Sequence, residues 1–347
     1  MKNKKILYQI VFFGISVVFV YILVRQFGKL TDVVETLAKG AWYLLIAVIG
    51  IQAIGIINKG AFYHSLYDYF GVKDSLRRLI TLTMASNFIN LATPSAGLSG
   101  AAVFISEAER QGMSKSRATF VNIFAYFLIY ACFVLILLFG LFYLLFNHQL
   151  HQYQIISAAI LFGMLLLAVI LFLVAVKGAS RVKKLFIYVA RIVNFFAKLM
   201  QKKTNVIDKE DIQIISHEIH LCLRLIQKNW KHLWLPVLHV FLWEIIDILT
   251  LYYLFLTLRY AIYPGTLIAA YAIGILFSLV SITPNGVGIV ETTMVLVLSG
   301  LGVPVEYAAI AVVGYRLFTF WIPFILGYFA FRSFKKEKLI NIENGAN

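Results

Sequence analysis

The sequence predicts an all-α polytopic membrane protein: six full spans plus two re-entrant helical hairpins in an inverted repeat, with the N- and C-termini cytosolic. Three observations lead there. The 347 residues are 61% hydrophobic and only 14% charged, with a mean hydropathy of +0.85, whereas a soluble domain is ~45–50% apolar and ~25% charged. Several runs exceed the ~18 uncharged residues that mark a transmembrane helix. Two apolar segments are interrupted by proline and glycine at matching places, in "NLATPSAGLSGAA" from Asn90 and "SITPNGVGIVETTM" from Ser281.

The elements follow in order. Residues 6–27 form an apolar segment behind "MKNKK". Its core is longer than the ~7–15 residues of a secretion signal and no small-x-small site follows, so it reads as an uncleaved first span. Further spans are expected at 41–62, 118–146, 153–176, 233–258 and 305–331. The segments 79–106 and 265–300 carry the interruptions. The first arm of 79–106, ahead of Thr93-Pro94, is short against the ~20 residues of a crossing, so two arms that enter and return are expected. If both arms crossed fully, the sidedness of the other elements would be the same.

Sidedness follows the lysine and arginine bias. A cytosolic N-terminus puts 26 of the 31 Lys and Arg inside, leaves Arg25, Lys29, Lys39 and Arg259 outside, and places Arg316 alone within a span. The first hairpin then enters from the cytosol and the second from outside. Halves of opposite topology, about 1–150 and 151–347, are the pattern of an inverted repeat, whose binding site lies near the midplane where helices are discontinuous. Two unrelated proline kinks would give the same letters. The whole chain, 1–347, is one integral membrane domain, with 177–232 a basic, amphipathic cytosolic linker suited to an anionic inner leaflet. The formal charge of +15 thus belongs to inner loops at a membrane surface, and no nucleic-acid partner is expected. Cys132 and Cys222 make no disulfide or metal pattern, "HEIH" from His217 lacks the spacing of a zinc helix, and no nucleotide or nucleophile motif appears. No cofactor and no metal are expected.

The interruptions carry the candidate site. Irregular backbone at membrane depth persists only where protein or a watery cavity satisfies it. A half-helix begins after Pro94 and another after Pro284, and a helix N-terminus favours an anion such as phosphate. Asn87, Asn90, Ser95 and Ser99, with Gly97 and Gly100 allowing close approach, line the first hairpin; Asn285, Gly286, Gly288, Thr292 and Thr293 line the second. The same residues could serve only to pack the hairpins. Four charges lie at membrane depth: Glu244 and Asp247 on one face of the fifth span, Glu291 after the second turn, and Arg316 in the last span. Each costs ~2.5–3.5 kcal/mol to insert, so such groups pair or line a pathway. Arg316 paired with Glu291, or with a fifth-span acid, is the purely structural alternative, and it leaves at least one acid unmatched.

At these residues a family resemblance emerges. "TPSAGLSGAAVFISEAERQGMSKSRATFVNIFAYFLIY" and "TPNGVGIVETTMVLVLSGLGVPVEYAAIAVVGYRLFTFWIPFILGYFAF" resemble the membrane (flippase) domain of the lysylphosphatidylglycerol synthase family and standalone flippase-like proteins of the UPF0104 type. The second block carries the pattern at Pro284, Gly286, Gly288, Glu291, Arg316, Trp321, Pro323 and Gly327. The first departs from it: many relatives read Pro-Gly-Arg-x-Gly-Glu where this chain has Pro94-Ser95-Ala96-Gly97 and then Gly100, with Glu107 and Arg110 further on. The resemblance implies a multi-pass protein of the cytoplasmic membrane that moves an anionic phospholipid or lipid-linked headgroup between leaflets; a homo-oligomer is compatible with it. In the synthases a soluble C-terminal domain transfers lysine to phosphatidylglycerol. This chain ends at Asn347, so that enzymatic step is not expected, although the family name would suggest a lysyltransferase. A membrane scaffold for a cell-envelope enzyme is the remaining alternative.

Overall fold

The structure, a computed structural model, describes residues 39–92, 98–178, 180–183, 187, 209–281 and 284–344. The expected first span at 6–27, the first turn with Pro94, Ser95 and Gly97, and most of the linker's 184–208 lie outside the described residues. Among the described residues all regular structure is helical. The helices are α1 (Tyr43–Tyr69), α2 (Leu76–Ala92), α3 (Leu98–Arg110), α4 (Lys115–Phe146), α5 (Gln152–Val176), α6 (Lys209–Asn229), α7 (Trp234–Thr257), α8 (Pro264–Val280), α9 (Ile289–Gly300), α10 (Val305–Arg316) and α11 (Ile322–Asn344).

Among the described residues five helical stretches are long and apolar enough to cross a membrane: Tyr43–Tyr69, Lys115–Phe146, Gln152–Val176, Ile212–Thr257 and Val305–Ser333. Each overlaps one of the five expected spans that fall among the described residues, although Ile212–Thr257 starts well before the expected 233 and takes in the end of the expected linker. Both interrupted segments are pairs of shorter helices, α2 with α3 and α8 with α9, each pair packed arm against arm. At 1.5 Å per residue the 17 residues of α8 reach about 25 Å, short of a ~30 Å hydrocarbon layer.

Local sequence explains the ends. Ser114 caps α4 by accepting from Arg117 N–H at 3.4 Å. Pro264 opens α8, where a missing N–H costs nothing. The last span departs from expectation: between α10 and α11, Leu317–Trp321 forms a π-helical turn. Pro323 has no N–H to return to Thr319, and proline rings clash with the carbonyl four residues back. Widening the preceding turn removes that conflict without ending the helix.

Packing exchanges partners between the two interrupted segments. α1 runs along α7. α4, which follows the first segment, lies on α8 of the second. α11, which follows the second, lies on α2 of the first, and the Pro284–Gly286 turn also touches α2. The approach of α11 to α2 is close: a Cβ built on Gly327 would stand 2.6 Å from the Met84 carbonyl oxygen and 2.9 Å from Phe88 Cβ. One large buried cluster joins α4, α7, α8, α9 and α10 through Phe133, Leu254, Leu276, Met294 and Val312; a second joins α1 to α4 and α6 through Phe62, Leu82, Phe104, Val121 and Cys222. α6 buries Cys222 and Ile226 and leaves Ile214, Leu221 and the following Trp230 exposed, the amphipathic division expected of that part of the linker.

Candidate functional site

Two groups of buried polar side chains occupy the interior. The first lies between α1, α7 and α8. Glu244 and Asp247 occur three apart on α7, so both point toward the same side, and they are 5% and 7% exposed. Tyr271 of α8 donates its hydroxyl hydrogen to Glu244 Oε2 at 2.6 Å. Trp243 Nε1–H donates to Asp247 Oδ2 at 3.0 Å, and Gln52 of α1 donates to Thr250 Oγ1 at 2.7 Å and reaches Asp247 Oδ1 at 3.5 Å. Lys59 Nζ stands 4.0 Å from Asp247 Oδ2 and 4.3 Å over the Trp243 ring. Asp247 therefore has a cation. No basic group among the described residues comes within ion-pair distance of Glu244.

The partnership of Lys59 with Asp247 was not anticipated from the sequence. The charge bias counts it with the inner loop although the expected span runs to 62; it lies within α1, which continues to Tyr69, and it faces Asp247. A signal was available: Gln52, Gly55 and Lys59 recur at helical spacing and make a polar and small stripe along α1, which is the face α7 needs for close approach. Gly55 shows how close, since a Cβ there would meet Ile246 Cγ2 at 3.0 Å. Tyr271 carried no signal, because one tyrosine in an apolar helix looks like core. His239 has Nδ1 2.7 Å from Asn58 Oδ1, between α7 and α1.

The second group surrounds the break before α9. Asn285, Gly286 and Gly288 all have positive φ, at 49°, 66° and 86°, a region that glycine enters readily and asparagine tolerates. The reversal aims the start of α9 at Arg316. Arg316 Nε donates to Glu291 Oε1 at 2.8 Å, Nη2 donates to the Asn285 carbonyl at 3.1 Å, and the guanidinium lies 4.7 Å over Phe320. Glu291 Oε2 accepts from Gly288 N–H at 2.7 Å. The pair is the one the structural alternative named. It also means that the first turn of α9 is not bare: its own carboxylate occupies the electropositive end. An anion arriving there has to compete with Glu291 for Arg316.

The first hairpin repeats this device with a neutral side chain. Asn90 on α2 accepts through Oδ1 from Gly100 N–H at 2.6 Å, with Ser99 Oγ at 3.4 Å. An amide of the descending arm thus caps the returning one, a role helix ends require of some group. Asn87 is half-buried on the same helix. Asn285 is exposed, while Gly100, Gly286, Glu291 and Arg316 are buried; of Pro284 only its backbone, opening the single turn Pro284–Gly286, is described. Glu107, which the departure from the family pattern left further along, is engaged near the other end of α3 by Arg78 at 2.7 Å and Arg110 at 3.5 Å.

The two groups adjoin. Tyr271 meets Tyr315 edge to face at 6.4 Å, and Arg316 is the next residue. The structure thus brings Glu244, Asp247, Glu291 and Arg316 onto one cluster of contacting helices, α7 to α10, with the Pro284–Gly286 turn against α2. Chemically this interior offers carboxylates, cations and hydroxyls in apolar surroundings, able to neutralise a zwitterionic or anionic group.

A family model described as lysylphosphatidylglycerol synthase TM region matches residues 7–327. A UPF0104 membrane protein of Methanocaldococcus jannaschii is 28% identical over 334 residues, covering 93% of this chain and 94% of the relative. The match spans both interrupted hairpins and every buried charge described above, and the chain belongs to the family of the lysylphosphatidylglycerol synthase TM region.

Proposed function

We propose that this chain is a flippase-like lipid transporter that moves a phospholipid or lipid-linked headgroup between the leaflets of the cytoplasmic membrane. The observation that carries the reading is Glu244. It is a carboxylate 5% exposed on a helix apolar enough to span, with a tyrosine hydroxyl as its partner while the nearby Lys59 is engaged with Asp247. A group costing ~2.5–3.5 kcal/mol to insert, and not consumed by an ion pair, has the character of a pathway residue. Glu244 and Asp247 would meet the positive part of a headgroup, and Arg316, exchanged from Glu291, its phosphate. The crossed packing of α4 on α8 and α11 on α2 supports the inverted-repeat reading, in which the two breaks meet near the midplane and alternate access between leaflets. Basic inner loops would gather anionic lipid.

Reconstitution tests this. Proteoliposomes carrying an acyl-labelled fluorescent phosphatidylethanolamine, whose headgroup bears both an ammonium and a phosphate, in both leaflets should expose the inner pool to an external quencher. Wild type should do so faster than empty vesicles, and Glu244→Gln and Asp247→Asn proteins of unchanged folding should slow it about tenfold or more, since each removes a charge worth over ~1.4 kcal/mol to the bound headgroup. Equal rates for wild type, both variants and empty vesicles would reject the reading.

A further inference from the structure

A defined cavity lies away from the buried charges. It has a volume of about 410 Å³ and opens where three helices end, between the C-terminus of α4, the N-terminus of α8 and the C-terminus of α9, lined by Tyr143, Asn147, Gln149, Tyr263, Thr266 and the Gly300–Leu301 end of α9. By the lysine and arginine bias this is the outer face. Its size is within the range of small-molecule sites.

The lining contains no charged residue. It consists of two phenols, two amides and one hydroxyl, so every side-chain polar group except the amides both donates and accepts, and each amide presents one of each. Two glycines shape it. The Tyr143 ring lies so close over Gly265 that an added Cβ would stand 2.1 to 2.7 Å from three ring carbons, and a Cβ on Gly300 would stand 3.2 Å from Gln149 Oε1. Tyr143 is further fixed by its hydroxyl, 3.1 Å from Thr266 Oγ1. The Asn147 amide nitrogen is spent on the Tyr143 carbonyl at 2.8 Å, which turns its oxygen outward from that bond. Tyr263 is 79% exposed and holds an aromatic face at the mouth.

We propose that this groove binds a neutral polyhydroxyl group, a sugar residue, either free or as the headgroup of a glycolipid. An anion would find no cation here and a cation no carboxylate, so a desolvated charge is disfavoured on either sign. Hydroxyls that donate and accept in pairs match amides and phenols, and an exposed aromatic face offers apolar contact to the C–H face of a sugar ring. The site is chemically separate from the charged interior: headgroup phosphate is answered there, and sugar hydroxyls here.

The test reads binding, so it stands apart from any transport assay. Detergent-solubilised full-length protein is mixed with equal amounts of monoglucosyl diacylglycerol and diacylglycerol of identical acyl chains, and retained lipid is counted by native mass spectrometry. Wild type should retain the glucosyl lipid about tenfold more than its sugar-free counterpart. A Gln149→Ala/Tyr263→Ala protein should lose that preference with an unchanged melting curve, since Tyr263 is largely exposed, and Gly300→Val, which fills the groove, should do the same. Methyl glucoside added in excess distinguishes the sources: competition identifies free sugar as a sufficient ligand, and its failure alongside retained glucosyl lipid identifies the lipid-linked form. Equal retention of both lipids by wild type, or an undiminished preference in the two variants, overturns the proposal.

Discussion

Replacing Arg316 by methionine isolates what the buried pair before α9 contributes. Methionine keeps the apolar stem and its packing near Phe320 but removes three contacts: Glu291 at 2.8 Å, the Asn285 carbonyl at 3.1 Å and the face of Phe320 at 4.7 Å. Arg316 and Glu291 side chains are 5% and 11% exposed, so water replaces little of what is lost. Removing one partner of a buried pair costs ~3–5 kcal/mol because the other charge stays behind. Glu291 still holds the Gly288 N–H, which sets the expected loss at about 3 kcal/mol. In Glu291→Gln/Arg316→Met no orphan charge remains, and the glutamine oxygen can still accept from Gly288, so the double variant should lose only about 1 kcal/mol. Adding Glu291→Gln should therefore restore roughly 2 kcal/mol of what Arg316→Met loses, and the coupling exceeds that figure by whatever Glu291→Gln costs alone. Equilibrium unfolding of purified protein in mixed micelles, followed by tryptophan fluorescence, measures all the required values. An Arg316→Met protein within about 0.5 kcal/mol of wild type, or a double variant as unstable as the sum of the singles, would refute the reasoning.

Other outcomes follow from the same geometry. Gly286→Ala should destabilise by about 2 kcal/mol or more, since φ is 66° and the new Cβ would stand 2.9 Å from Ser278 Cα, adding a clash to the ~1–2 kcal/mol of a left-handed residue; thermal melts check it. Tyr271→Phe should cost about 1–3 kcal/mol by taking the hydroxyl from buried Glu244, whereas Tyr271→Phe with Glu244→Leu should recover most of that loss in the same unfolding assay. Lys59→Met should destabilise by a similar amount and be largely rescued by Asp247→Leu, because the two form one buried pair across α1 and α7 and removal of both leaves no orphan charge. Gly327→Val should separate α11 from α2, and a disulfide-trapping pair across these helices should then close more slowly in the variant than in wild type.

Much of the fold was legible because it depends on letters that act locally. Proline and glycine at 284–288 mark a backbone that cannot stay helical, and uncharged runs mark helices that lipid can cover. The Arg316–Glu291 pair was legible as one of few ways to neutralise a cation in an apolar span. What was not legible depends on how helices face one another. Asn90 accepting from Gly100 across ten residues requires the hairpin to be closed already. Tyr271 acquires meaning only when α8 is turned toward Glu244. Lys59 was hidden because the span seemed to end near it, while α1 runs a further ten residues to Tyr69. The outer groove was invisible, since its walls come from three helix ends distant in the chain.

The wide turn at Leu317–Trp321 adjusts rotation as well as accommodating Pro323. An α-helix advances about 100° per residue, so accommodating one extra residue there turns everything downstream by about that angle relative to α10. The upstream part faces α7 and α9, and the downstream part presents Gly327 to α2. A single rod thereby fits two differently oriented seats, with Arg316 at the joint. Deleting one residue from that turn would leave Gly327 and Met84 themselves unchanged and still swing one off the other, so the length of this turn is as much a determinant of assembly as the identity of the residues on either side.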